Sequence, residues 1–271
     1  EYTRVLSGSA RLGRLMQEYM RWPYGKCRRI LVPSTATRET MVRGKIDPAK
    51  IGVWTRGVST EDFSPARRSE ALRAQWGATD ERPALLYVGR VSREIGLDLL
   101  PALSERLRRA QLRHRMIVVG DGPMREELRD RCAGAIFMGT LTPDAVATAM
   151  ASADLFVFPS RTDTAGNVVL EAQASGLPVL ITDEGGPCEN MHDGRTGYVC
   201  PDLRAFTRRV SELVWNPERR ARIGRDARAY AESRTWPSAL EPLYRAYRDA
   251  RAPAAAPSFD LQPSLAQERV L

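Results

Sequence analysis

Five short apolar runs dictate what the middle of this chain can fold into: ALLYVG (84–89), RMIVVG (115–120), AIFMG (135–139), DLFVFPS (154–160) and LPVLIT (177–182). Each is rich in β-branched and aromatic residues and lacks polar alternation, the pattern of strands buried on both faces of a parallel sheet. Between the first two lies LDLLPALSERLRRAQL, where Leu99, Leu103, Leu107 and Ala110 recur at helical spacing and predict an amphipathic helix. PMREELRDRC and PDAVATAMASA repeat the idea, so the segment reads β-α-β-α-β. The expected class is α/β, a doubly wound parallel sheet with helices on both sides. Such sheets bind ligands at the carboxyl ends of their strands. Gly89, Gly120, Gly122, Gly139 and Gly166 fall there and mark the edge of a site.

The flanks differ. LGRLMQEYMRW puts Leu12, Leu15, Met16, Tyr19 and Met20 on one helical face, RRILVPS reads as a strand, and TATRETMVRG as a helix. A strand and two helices are too little for a sheet of their own, so residues 1–56 are expected to be the end of a preceding α/β domain whose beginning is absent, plus a linker. Residues 57–235 then form the main domain. Residues 236–271 hold a last helical segment, WPSALEPLYRAYRDA, and an Ala/Pro-rich tail, ARAPAAAPSFDLQPSLAQERVL, expected to be mobile or loosely docked.

Residues 1–56 carry twelve basic and four acidic residues, which accounts for the whole formal charge of +8. Such a patch suits an anionic membrane surface, a phosphorylated substrate or nucleic acid; it is equally what a general preference for arginine over lysine produces. No aromatic RNA-binding motif or zinc finger accompanies it, so a nucleic-acid partner is not expected. No apolar run approaches the roughly 20 residues of a membrane span, and EYTRVLSGSARLGRLMQEYM lacks the apolar core of a secretion signal. Cys27, Cys132, Cys188 and Cys200 have no metal-ligand spacing and read as reduced thiols of a cytoplasmic protein.

Chemistry concentrates in SRTDTAGNVVLEAQASGLPV (160–179). A helix starting at Gly166-Asn167, with Asn167 as its N-cap, would turn unpaired N–H groups and the positive end of its dipole toward an oxyanion such as a phosphate. Asp163 precedes that terminus and Glu171 follows it. Carboxylates beside phosphates suit hydroxyl partners, those of a sugar or a ribose. On spacing alone the alternative is equally open: Glu171 caps its own helix and Asp163 sits in a solvated loop. GDGP at 120–123 lacks the third glycine of a dinucleotide fingerprint, because Arg125 stands there.

RGVSTEDFSP (56–65), YVGRVSREIGLDLL (87–100), VVGDGP (118–123), FMGTL (137–141), ADLFVFPS (153–160), TDTAGNVVLEAQASGLPV (162–179) and GGPCENMHDGRTGYV (185–199) form an ordered series. The series resembles the retaining, nucleotide-sugar-dependent glycosyltransferases of the GT-B type, in wording the mannosyltransferase-like and sulfolipid-synthase-like members. The resemblance implies two Rossmann-like domains across a cleft, with the donor held by the C-terminal one, which is the part this chain carries. By that pattern Glu171 binds the ribose, Asp163 binds hydroxyls of the transferred sugar, and the N–H groups of Gly166, Asn167 and Val168 hold sugar and distal phosphate. Arg90 pairs with the diphosphate and stabilises the leaving group. Gly89 and Gly122 belong to the rim of the donor site, and Gly139, Thr140 and Leu141 flank the base. The donor is a GDP-sugar or UDP-sugar, and the scheme needs no metal.

Three positions depart from the pattern: Ile95 replaces a lysine, Asp163 a glutamate, and Ala165 an aromatic residue. The expected activity is hexose transfer to an acceptor hydroxyl, with a lipid or phosphorylated acceptor at the inner membrane face. The departures favour the alternative, a nucleotide-sugar-binding module that does not turn over and needs a separate acceptor domain.

Overall fold

The computed structural model describes residues 10–251. Its first unit is built from α1 (Ala10–Lys26), β1 (Ile30–Val32), α2 (Thr35–Arg43) and β2 (Ile51–Val53). Contrary to the expectation of a lone strand, β1 and β2 pair in parallel, Ile30 opposite Ile51 and Val32 opposite Val53. The second strand escapes a pattern search because it is three residues long and contains Gly52. Ile30, Val32, Ile46 and Ile51 form a small core, with Tyr24 and Met41 packed against it. The apolar face expected on α1 exists as a helix but is open to solvent: Leu15 is 67% and Tyr19 70% exposed.

The second unit continues with α3 (Glu70–Trp76), β3 (Ala84–Val88), α4 (Leu99–Arg109), β4 (Arg115–Val119), α5 (Arg125–Arg131), β5 (Ile136–Gly139), α6 (Pro143–Ser152), β6 (Leu155–Phe158), α7 (Asn167–Ala174), β7 (Val179–Ile181), β8 (Gly197–Val199), α8 (Leu203–Trp215), α9 (Pro217–Glu232) and α10 (Trp236–Arg251). The strands form one parallel sheet in the order β5-β4-β3-β6-β7-β8. All five expected strands are present; β8, three residues at the sheet edge, was not foreseen. From β3 the chain steps outward to β4 and β5, then jumps back across β3 to β6. Right-handed crossovers put the helices before and after that reversal on opposite faces, and α4 packs with α8 while α7 packs with α6 and α9. Burial on both faces explains the uninterrupted apolar runs: Leu85, Leu86, Ile117, Phe156, Val157 and Leu180 are all 0% exposed.

In α4 the buried residues are Leu100, Pro101, Leu103 and Leu107. The expected Ala110 is exposed because the helix closes at Arg109 and Ala110 only caps it. The last helix returns toward the first unit, where Arg28 Nη1 donates to the carbonyl of Ala250 at 3.2 Å. The Ala/Pro-rich tail beyond residue 251 lies outside the described residues.

One buried ion pair ties α3 to the sheet. Arg73 Nη1 donates to Asp154 Oδ2 at 2.9 Å and to the Ser152 carbonyl at 2.8 Å, while the Ala84 N–H donates to the same Asp154 oxygen at 2.8 Å. The side chains are 3% and 9% exposed, so the charges compensate one another away from water. Asp154→Ala strands the Arg73 guanidinium and should cost about 3–5 kcal/mol. The urea midpoint should fall accordingly, and the paired change Arg73→Met with Asp154→Leu should recover much of the loss.

Candidate functional site

The order reversal makes β3 and β6 the switch point of the sheet, and the loops 89–98 and 159–166 leave their carboxyl ends there. They are clipped together. Thr162 Oγ1 donates to the Glu94 carbonyl at 3.0 Å, and a Cβ on Gly96, whose φ is +80°, would lie 2.9 Å from the Pro159 carbonyl oxygen. Behind them, the Val91 N–H donates to the Asp121 carbonyl at 2.9 Å, and a Cβ on Gly122 would lie 2.2 Å from the Val91 oxygen. Gly122 is therefore required by the packing of one loop on the next. A Cβ on Gly89 would lie 2.7 Å from the Tyr87 hydroxyl.

That hydroxyl organises one half of the site. Tyr87 is fully buried at the end of β3 and donates to the Arg90 carbonyl at 2.8 Å. Burial, followed by the charges of Asp163 and Glu94, pushes its pKa far up, so it stays a neutral donor. Fixing the Arg90 backbone leaves its side chain, 62% exposed, at the mouth of the loop. The nearest acid is Glu94, 8% exposed, with Oε1 3.9 Å from Arg90 Nε. Its own backbone N–H holds the Glu94 carboxyl below the usual range, with Arg90 adding to the effect. Neither Tyr87 nor Glu94 was foreseen as a site residue; the acid directly before Ile95 was the available signal. Ile95, standing where a lysine was expected, packs against the main core.

The other half is the start of α7. Gly166 is its N-cap, with φ +66° and ψ 31°, and Asn167 is the first helical residue, which corrects the assignment of Asn167 as the cap. A left-handed cap leaves room for nothing larger than glycine: a Cβ there would lie 2.7 Å from Pro187 Cα. Asp163, read either as a sugar ligand or as a solvated loop residue, is half-buried and shapes this turn, one oxygen accepting from the N–H groups of Ala165 at 2.8 Å and Gly166 at 2.7 Å. The Gly166 N–H is thereby spent. Those of Asn167 and Val168 have no acceptor within their own helix.

Glu171 lies one turn further on. It does not cap its helix: among the described residues its carboxylate forms no hydrogen bond and no ion pair. It is half-buried, and burial pushes its carboxyl above the usual range. A carboxylate kept from water without a partner suits hydroxyl donors from a ligand. Thr140, exposed, and Leu141, packed on the core, follow β5 at the sheet edge. Three strand spacings separate β5 from β6, about 14 Å, the reach of an extended ligand laid across the strand ends.

Two clefts open here. One of about 650 Å³ lies at the switch point, lined by Arg93, Glu94, Pro159, Arg161, Thr162 and Asp202. The other, about 560 Å³, separates α2 from the loops after β6 and β7 and is lined by Thr37, Thr40, Arg43, Asp163, Asp183 and Glu184 among others. Of the expected site residues only Asp163 lines either; Arg90, Thr140, Leu141 and Glu171 stand outside both.

Comparison with known proteins shows the family and the fold. Residues 82–216 match the family Glycosyl transferases group 1. The chain is 36% identical over 232 residues to the GDP-mannose-dependent alpha-mannosyltransferase of Mycobacterium tuberculosis, covering 84% of this chain and 59% of that protein. It is 35% identical over 218 residues to sulfoquinovosyl transferase SQD2 of Arabidopsis thaliana, covering 77% of this chain and 42% of the relative. The chain thus spans about half the length of these relatives. Among solved structures, Anabaena Alr3699/HepE in complex with UDP shares the fold at a TM-score of 0.73 and 20% identity, over 82% of this chain and 64% of that one. The chain belongs to the glycosyl transferases group 1 family and carries a glycosyltransferase domain with the Rossmann-like sheet of the GT-B type.

Proposed function

We propose that this domain binds a nucleoside diphosphate sugar, GDP- or UDP-linked, and transfers its hexose to an acceptor hydroxyl with retention of configuration. The observation that carries the reading is the unpartnered, half-buried Glu171 one turn from the start of α7, where two N–H groups have no partner in their helix. Glu171 accepts from ribose hydroxyls. The Asn167 and Val168 N–H groups and the helix dipole meet the phosphate nearest the sugar. As the sugar–oxygen bond breaks, negative charge grows on the departing diphosphate, and Arg90 offsets it without a metal. Asp163 keeps one oxygen for the turn, which leaves the other for a sugar hydroxyl.

Residues 57–235 are the donor unit in this reading. Residues 1–56 close an acceptor-side domain, and the segment from 236 returns to it, supported by the bond between Arg28 and Ala250 and by the half-length match to relatives. A cytoplasmic protein working at the inner membrane face, with a lipid-linked or phosphorylated acceptor, is favoured by the basic surplus and by the exposed Leu15, Tyr19 and Trp22 of α1, flanked by Arg14 and Lys26. Among the described residues no helix is long and apolar enough to cross a membrane. One observation favours the second reading, a binding module without turnover: Ile95, where a second cation was expected, packs on the core, Arg90 stands beside an acid, Glu94, and the loop's other cation, Arg93, is paired with Glu127 at 3.1 Å.

Thermal stabilisation by a panel of nucleoside diphosphates and their sugars tests the reading, because a ligand specific for the folded state raises the midpoint. One nucleotide should shift the midpoint, and Glu171→Ala should abolish the shift; no shift with any of them sinks the donor reading. Burial raises the Glu171 pKa, so its ionisation costs folded stability as pH rises above the ordinary value of about 4.3, while ligand binding needs the ionised form. Glu171→Gln should therefore raise the unliganded midpoint at pH 7 and weaken nucleotide binding by roughly 10-fold or more.

Arg90→Ala should weaken diphosphates by roughly 10- to 100-fold yet leave the bare nucleoside unchanged, as isothermal titration can show. Donor hydrolysis by this chain supplied with a complete acceptor-side domain separates enzyme from module. Anionic vesicles should retain the chain better than neutral ones, with retention falling as salt rises; salt-independent retention contradicts the membrane assignment.

A further inference from the structure

The turn after β7, Gly186–Asn190, lies between the first unit and the donor helix and is bonded to both. On one side the Glu189 carboxylate accepts from the first two N–H groups of α2, Thr35 N to Oε2 at 2.8 Å and Ala36 N to Oε1 at 2.9 Å. Ser34 Oγ takes the third, from Thr37 at 3.2 Å. A carboxylate at a helix N-terminus is favoured by the dipole as well as by these bonds. What is unusual is its origin: the cap comes from a residue more than 150 positions away, across the cleft that holds Asp163.

On the other side the same turn has no slack against the donor loop. The Gly186 N–H donates to the Asp163 carbonyl at 3.0 Å. A Cβ on Gly186 would lie 2.2 Å from the Thr164 oxygen, and one on Gly185 2.5 Å from the Asp163 oxygen. Asn190 Nδ2 donates to the Ala165 carbonyl at 2.5 Å, and Gln173 Nε2, from within α7, donates to the Asn190 carbonyl at 2.6 Å. Arg234 adds a bond from Nη2 to Asn190 Oδ1 at 3.3 Å. Backbone packed on backbone cannot yield locally, so displacement of Glu189 must reach the residues that shape the start of α7.

We propose that Glu189 is a positioning residue, a latch through which the acceptor-side helix α2 fixes the loop 163–166 and so the ligand-binding start of α7. The proposal rests on the donor reading for its consequence in binding, but not for the mechanical link itself. With α2 docked, Asp163 and the free N–H groups of Asn167 and Val168 are held in place before the ligand arrives, which lowers the ordering cost of binding. With the latch open, the ligand has to order them.

Hydrogen exchange and titration calorimetry on this chain separate the outcomes. Three variants serve: Glu189→Ala, Glu189→Gln, which keeps one acceptor, and Thr35→Pro. The last removes the donor to Oε2 at the first helical position, where proline is favoured, and Ser34 before it is already extended at φ −155° and ψ 158°. In Glu189→Ala, exchange should rise roughly fivefold or more in α2, the scale of a lost cap, and also in a peptide covering 163–170. Affinity for the stabilising nucleoside diphosphate should fall about 3- to 10-fold, with Glu189→Gln and Thr35→Pro between wild type and alanine. If exchange rises in α2 alone and neither 163–170 nor the affinity changes, Glu189 is a helix cap and nothing more, and the proposal is overturned. If no nucleotide binds even the wild type, the donor reading fails, and the exchange of 163–170 alone decides whether the latch exists.

Discussion

The reversal of strand order between β3 and β6 is the constraint on which the other features rest. A parallel sheet has to be covered on both faces, and right-handed crossovers can supply both layers only if the chain changes direction once. Where it does so, two loops leave neighbouring strands and part, opening a crevice. Arg90 and Glu94 stand on one loop, Asp163 and Gly166 on the other. The glycines of this region, Gly96 and Gly122 in particular, are the places where one loop passes too close to another for a side chain. They bring charged residues to the crevice by being absent themselves.

Much of this could be read before any coordinates. Strands buried on both faces are written as unbroken apolar runs, which is why β3, β4, β6 and β7 were legible; the half-buried edge strand β5 was legible from its apolar residues, whereas the edge strands β2 and β8, three residues each and both containing glycine, were not. The start of α7 was legible to within one residue because Gly166 and Asn167 interrupt an apolar pattern, but sequence cannot say which of two adjacent residues adopts positive φ. The roles of the two carboxylates were harder. Asp163 and Glu171 look alike in a string; only the fold shows that the first spends an oxygen on two backbone N–H groups while the second is left without a partner. Tyr87 was hidden inside a strand as one more aromatic residue. Glu189 was illegible because its partners, Thr35 and Ala36, are backbone groups far away in sequence.

The acids around the site are set in opposite directions by their surroundings. A backbone donor and the neighbouring Arg90 favour the charge on Glu94, whereas burial without donors opposes it on Glu171. A charge that the protein has already satisfied has little to offer a ligand, and one that it has not satisfied is bound more tightly when a ligand does so. Ile95 belongs to the same balance: an apolar side chain there strengthens the core under the loop and removes a cation from above it.

The chain passes between its two units twice, and the passages touch. The Val58 N–H donates to the Arg234 carbonyl at 2.9 Å, and a Cβ on Gly57 would lie 2.6 Å from the Trp236 backbone. Nearby, Arg228 Nη1 donates to the carbonyls of Thr60, Phe63 and Ala174, tying the outgoing passage to the end of α7. Because both connections meet at one spot and are bonded to each other there, strain on either is shared by the other, and they form one joint rather than a pair of tethers.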